Sequence, residues 1–195
     1  MNAVMTTLSI SALTAAAGKF GVAAIAAYGI ASRLDMLLIP VMFGFGTAVI
    51  TVVGTSLGSG NLVRARRAAL MNALFVAGLV ELVGLVVAIA PELWVGLFTN
   101  NAAVLAIGRQ YLRTVAPLYF GIAIISELYF AGQGAGRIGW PMVAGAVRFL
   151  CAVVAGVWVL HGNATLGAAF VLVAFGIAIA TAVSLVGFWR VRWLR

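Results

Sequence analysis

Charge is scarce in this sequence. Only 8% of its 195 residues are Asp, Glu, Lys or Arg, whereas a soluble domain carries roughly 25%. A chain so poor in polar groups cannot cover a folded surface in contact with water, so its solvent is lipid. Acidic residues number four, against 12 basic ones. Cys151 is the single cysteine and lies in an apolar run, which excludes an intrachain disulfide and any cysteine-pair metal motif. The single histidine, His161, falls in the polar stretch His161-Gly162-Asn163 and reads as a solvated loop residue. No His-Glu metal motif, phosphate loop or nucleophile–base constellation occurs. Ser126 beside Glu127 has no histidine near it in sequence. An enzyme is therefore not expected, and neither a metal nor a catalytic residue is assigned. The net charge of +8 could point to nucleic acid, but no basic–aromatic interleaving supports base stacking; no nucleic-acid partner is expected.

Apolar length is abundant instead. Hydrophobic residues make up 65% of the chain, and the mean hydropathy is +1.19. The stretch from Gly21 to Arg67 sets the pattern. Met36 to Leu57 carries no charge, and at about 1.5 Å per residue such a helix crosses the hydrocarbon core. Gly58-Ser59-Gly60 breaks it, and Arg64, Arg66 and Arg67 follow. Pro40 lies inside this helix and should kink it. The helix beginning at Gly21 carries Arg33 and Asp35, at the outer surface or facing a water-filled cavity. Whether the span proper starts near Ala23 or near Asp35 is open at this level.

The same pattern recurs. Met1 to Gly18 is read as a first span, cut short at its start; it lacks the basic n-region of a signal peptide. A third span runs from about Ala68 to Pro91 and contains Glu81. Glu92 to Arg113 is mixed and reads as interfacial, with a turn at Asn100-Asn101. A fourth span, about Thr114 to Gln133, contains Pro117 and Glu127. A fifth, from Trp140-Pro141 to about Leu160, contains Arg148. The last, Ala164 to about Trp189, is uncharged and ends at Arg190, Arg192 and Arg195. The expected fold is all-α: a polytopic bundle of six transmembrane helices. Placing the loop of Arg64, Arg66 and Arg67 inside also puts Arg137 and the basic C-terminal end inside, which is the positive-inside arrangement. Both termini are then cytoplasmic.

At this level the chain resembles the multidrug and toxic compound extrusion (MATE) family. The residues that carry the resemblance are Gly21 with Ala24-Ile25-Ala26-Ala27-Tyr28-Gly29-Ile30, then Arg33, Pro40, Gly44, Gly54, Gly58-Ser59-Gly60 and Arg64-Ala65-Arg66. A looser block is Tyr111-Leu112-Arg113 with Pro117, then Gly134-Ala135-Gly136-Arg137 with Trp140-Pro141-Met142. The resemblance implies a twelve-helix fold of two six-helix lobes, of which residues 1–195 look like the second lobe, truncated at its N-terminus. It implies part of a secondary multidrug efflux transporter of the plasma (inner) membrane, exchanging cationic or amphipathic compounds for Na+ or H+. The implied partners are membrane lipid, a small-molecule substrate and a second six-helix lobe, either the missing N-terminal half or another copy, docked through small-residue faces such as Gly44 and Gly46. A truncated non-transporting scaffold and a lobe of a related lipid or polysaccharide flippase are the alternatives. The family's acidic residues in the seventh and tenth helices have no clean match; the latter would fall near Ile122 rather than at Glu127.

Charges at membrane depth are costly and demand a reason. Glu127, Glu81 and Arg148 are the candidates for cation coupling or an intramembrane ion pair, and Asp35 and Tyr28 for lining a cavity. By depth, Glu127 is the expected partner of Arg148, with Glu81 as a further possibility. A structural Glu127–Arg148 pair and a coupling role for Glu127 both stand open.

Overall fold

The computed structural model describes residues 2–162 and 164–190, with side chains from residue 7 onward. Met1, Asn163, Arg192 and Arg195, to which the sequence reading gave places, lie outside the described residues. The helices are α1 (Asn2–Gly18), α2 (Val22–Gly58), α3 (Leu62–Ile89), α4 (Glu92–Val95), α5 (Ala102–Val115), α6 (Tyr119–Gly134), α7 (Gly139–Leu160) and α8 (Leu166–Arg190), with a 3-10 turn at Ala116–Leu118. Among the described residues, five segments are long and apolar enough to cross a membrane: α2, α3, α5 with α6, α7 and α8. The apolar part of α1, Thr7–Gly18, is shorter. The chain is a multi-pass membrane protein.

Turn chemistry sets the boundaries. After α2, Gly60 takes φ 75°, a left-handed conformation that glycine adopts without a Cβ clash. Asn61 then caps α3, its Oδ1 accepting the Arg64 N–H at 2.9 Å, as N-cap side chains do. Gly136, at φ 65°, turns the chain from α6 towards α7, and Arg137 N–H closes that turn on the Gly132 carbonyl at 2.8 Å. Lys19 donates to the carbonyls of Val159 and Leu160, a cation on the last turn of α7 where helix carbonyls lack partners.

Three boundaries differ from the sequence reading. α2 runs unbroken from Val22 through Asp35 to Gly58, because neither charge disturbs its backbone ladder: Arg33 is exposed, and the Asp35 carboxylate finds side-chain partners in Tyr111 and Tyr119. α3 begins at Leu62 rather than Ala68, so Arg64, Arg66 and Arg67 lie in its first turns; the Asn61 cap is the reason. The segment Glu92 to Arg113, read as interfacial, divides into α4 and the greater part of α5. Asn101 caps α5 through Ala103 and Val104 N–H at 3.0 and 3.3 Å, and α5 continues through the Pro117 turn into α6 as one span.

That broken span is the most enclosed of the five. α6 packs against α2, α3, α7 and α8, while α7 packs against α1 and α8. Small residues permit the closest approaches, as is usual where helices associate in lipid. The Phe130 ring occupies the space where a Cβ of Gly46 would stand. Gly46 is therefore used inside the lobe and is not a free docking face, whereas Gly44 has open space at its Cβ position. The outer faces of α2 and α3 carry Phe43, Phe45, Phe75, Leu82 and Leu85, all exposed, as lipid contact requires.

Candidate functional site

Two polar clusters lie within this apolar frame. The first surrounds Asp35. Two tyrosines from the broken span donate to its carboxylate: Tyr111 of α5 to Oδ2 at 2.7 Å, and Tyr119 of α6 to Oδ1. In a continuous helix these tyrosines would stand roughly 12 Å apart along the axis. The 3-10 turn between them, and the reach of two phenols, bring both hydroxyls to one carboxylate. Tyr28, two turns back on the same face of α2, packs edge-on against Tyr111 with ring centroids 5.5 Å apart, and Phe170 of α8 also packs edge-on against Tyr111 at 5.1 Å. Tyr28, Tyr111 and Tyr119 are all buried. Arg148 of α7 lies within electrostatic reach of Asp35, Tyr111 and Tyr28. Asp35 and Tyr28, expected to line a cavity, belong to one polar network, with Tyr28 buried and Asp35 half-buried.

The second cluster is sparse. Glu127 of α6 is wholly buried, at 0% exposure. Its Oε2 accepts from the Asn72 side-chain amide of α3 at 2.6 Å. Its Oε1 has no hydrogen-bond partner, and no ion pair to Glu127 occurs among the described residues. The expected Glu127–Arg148 pair is thus not formed. The α6 rotation that turns Glu127 to α3 turns it away from α7, and Arg148 faces the Asp35 network.

Glu81 meets neither arginine nor glutamate. Its Oε2 accepts the backbone N–H of Phe120 at 2.8 Å. Starting α3 at Leu62 places Glu81 roughly 28 Å along the helix, level with the Pro117 break rather than with Arg148. At the end of the bundle away from Arg64, Glu92 pairs with Arg109 at 2.5 Å, both half-exposed. Hydrogen bonding to its own backbone N–H, and then to Arg109, holds the Glu92 carboxyl below the usual range. Trp94 of α4 donates to the Ile30 carbonyl at 2.8 Å, and Arg33 lies over the Phe98 ring at 5.8 Å, so the α4 segment is tied to the N-terminal half of α2. At the opposite end Arg64 and Arg67 are exposed and Arg66 and Arg137 half-buried.

Asn72 and Tyr119 carried no role in the sequence reading, and Tyr111 entered only through the family resemblance. Asn72 had a signal, a lone amide within Ala68-Ala69-Leu70-Met71-Asn72-Ala73-Leu74-Phe75. Tyr119 had only its place two residues after Pro117.

The MatE family model matches residues 1–158. In shape the chain is similar to the Vibrio cholerae MATE transporter VcmN in its bent form, with a TM-score of 0.79 at 16% identity; the match covers 100% of this chain and 44% of that one. It is also similar to a MOP superfamily transporter from Pyrococcus furiosus, with a TM-score of 0.65 at 14% identity, covering 96% and 41% respectively. No curated protein matches it by sequence. The chain spans less than half the length of the solved transporters it resembles, and its fold is that of a single lobe.

Proposed function

The chain belongs to the MatE family, and we propose that it acts as one six-helix lobe of a secondary multidrug efflux transporter, with Glu127 as the carboxylate that takes the coupling Na+ or H+. One observation carries this reading. Glu127 is fully buried, holds a single neutral donor, and has one oxygen without a partner. An uncompensated carboxylate at membrane depth is costly. A proton or Na+ reaching Oε1 would supply the missing charge. Asp35 lacks this need, since two phenols and the field of Arg148 already complement it.

In this reading a second six-helix lobe forms the opposite wall of the substrate path, and the exported compounds are cationic or amphipathic. The protein sits in the plasma (inner) membrane with Arg64, Arg66, Arg67 and Arg137 on the cytoplasmic side, in keeping with the positive-inside rule.

The test is cation-driven dye flux in liposomes holding the chain together with a complementary lobe. Wild type should show flux. Glu127→Gln should insert normally and lose about tenfold or more of the cation-dependent rate, the equivalent of a charged interaction of about 1.5–3 kcal/mol. Normal coupled flux in Glu127→Gln would remove Glu127 from the mechanism. Absence of flux with any complementary lobe would favour the scaffold reading.

A further inference from the structure

The Pro117 break is fastened from two sides. Pro117 has no N–H to donate, and the first N–H groups of α6 have no acceptors within their own helix. Glu81 of α3 supplies one from outside, accepting Phe120 N–H at 2.8 Å. Gly84, one turn further along α3, lets the break come close: a Cβ there would stand 2.5 Å from the Ala116 carbonyl oxygen and 3.2 Å from Tyr119 Cβ. Glu81 and Gly84 thus form a cradle on which the 3-10 turn rests. On the other side of the turn, Tyr111 before the break and Tyr119 after it both donate to Asp35. Tyr119 immediately precedes the residue whose N–H Glu81 holds.

We infer that Glu81 is a positioning residue for the Asp35 network: by holding the Phe120 N–H it sets the direction in which Tyr119 leaves α6, and so keeps the Tyr119 hydroxyl on Asp35. The link is geometric and short. Rotating the first turn of α6 about the break moves Phe120 N–H and the Tyr119 side chain together, because one peptide joins them. A carboxylate suits the task because a charged acceptor binds a backbone N–H more strongly than a neutral one. This inference does not depend on Glu127 or on transport.

Infrared difference spectroscopy of the protein in lipid nanodiscs tests it. The carboxyl bands that vanish in Asp35→Asn belong to Asp35. Tyr119→Phe should shift those bands, since one of the two phenol donors is lost. Glu81→Leu should shift them in the same sense and to a similar extent. Glu81→Gln, which keeps an oxygen acceptor for Phe120 N–H, should leave them near the wild-type position. A cap that served α6 alone would leave the Asp35 bands unmoved in Glu81→Leu, and that result would overturn the inference. So would equal shifts in Glu81→Leu and Glu81→Gln, or an absent shift in Tyr119→Phe. If Glu81→Leu does not fold, Gly84→Ala takes its place, since its Cβ presses on the same cradle; unmoved bands in that variant count against the inference in the same way. Because no flux is measured, a protein that moves nothing still gives the answer.

Discussion

Asn72 of α3 donates its side-chain amide to Glu127 of α6 across 2.6 Å, and this bond is the one polar contact recorded for a fully buried carboxyl group. It joins two helices that pack closely against each other. It also explains why a lone amide is placed within an apolar stretch of α3. Removing the donor should therefore be costly only while the acid is present. Asn72→Leu should destabilise the wild-type protein by about 1–3 kcal/mol, the cost of leaving a buried polar group unpaired. In a Glu127→Leu background the same change should cost much less, because paired residues are not additive. Thermal unfolding of the four proteins in detergent gives the cycle; additive losses would show that the two side chains do not depend on each other.

Asp35 should matter to folding more than to coupling. Asp35→Leu leaves the Tyr111 and Tyr119 hydroxyls buried without their acceptor, and should cost about 2–6 kcal/mol at roughly 1–3 per unsatisfied group. Asp35→Asn retains an acceptor and should cost less. Arg148→Leu should be less harmful in the Asp35→Leu background than in wild type. Unfolding temperatures decide this, and a stable Asp35→Leu protein would contradict the network.

Two glycines two residues apart, and so on opposite sides of α2, should respond in opposite ways. Gly46→Ala drives a methyl into the Phe130 ring and should destabilise by about 1–3 kcal/mol, the usual cost of overpacking. Phe130→Leu in the same protein should recover part of that loss. Gly44→Ala meets nothing within 4 Å and should be neutral or slightly stabilising, since alanine is the better helix former by about 1 kcal/mol. Equal losses at both positions, measured by thermal unfolding, would mean that Gly46 is not a packing site within the lobe.

Orientation is testable with single cysteines in a Cys151→Ala background. Arg64 and Asn100 are exposed and lie at opposite ends of α3 and the α4 segment. Asn100→Cys should react with an impermeant maleimide in intact cells, and Arg64→Cys only after lysis. Ala65 is a poor probe because it is fully buried. Labelling of Arg64→Cys from outside would invert the topology.

Much of this protein was legible before any coordinates. The scarcity of charge required lipid, and the uncharged runs between arginine-bearing turns located the long helices. The turns at Gly58-Ser59-Gly60, Asn100-Asn101 and Gly134-Ala135-Gly136 mark where helices stop and start, because local backbone chemistry alone decides a cap or a left-handed turn; the Asn61 cap that starts α3 six residues before Ala68 went unread. The four carboxylates were legible as exceptions, but their partners were not. Depth along a helix follows from a fixed rise per residue, and by depth alone Glu127 belonged with Arg148. The partner of a side chain depends as well on how each helix is rotated about its axis. That rotation is set by contacts between distant segments: Phe130 against Gly46, the Ala116 carbonyl against Gly84, and the 3-10 turn at Pro117 that lets α5 and α6 face differently. Tertiary packing therefore sent Glu127 to Asn72, Glu81 to a backbone N–H and Arg148 towards Asp35, since the rotation of one helix against another is fixed only when their surfaces meet.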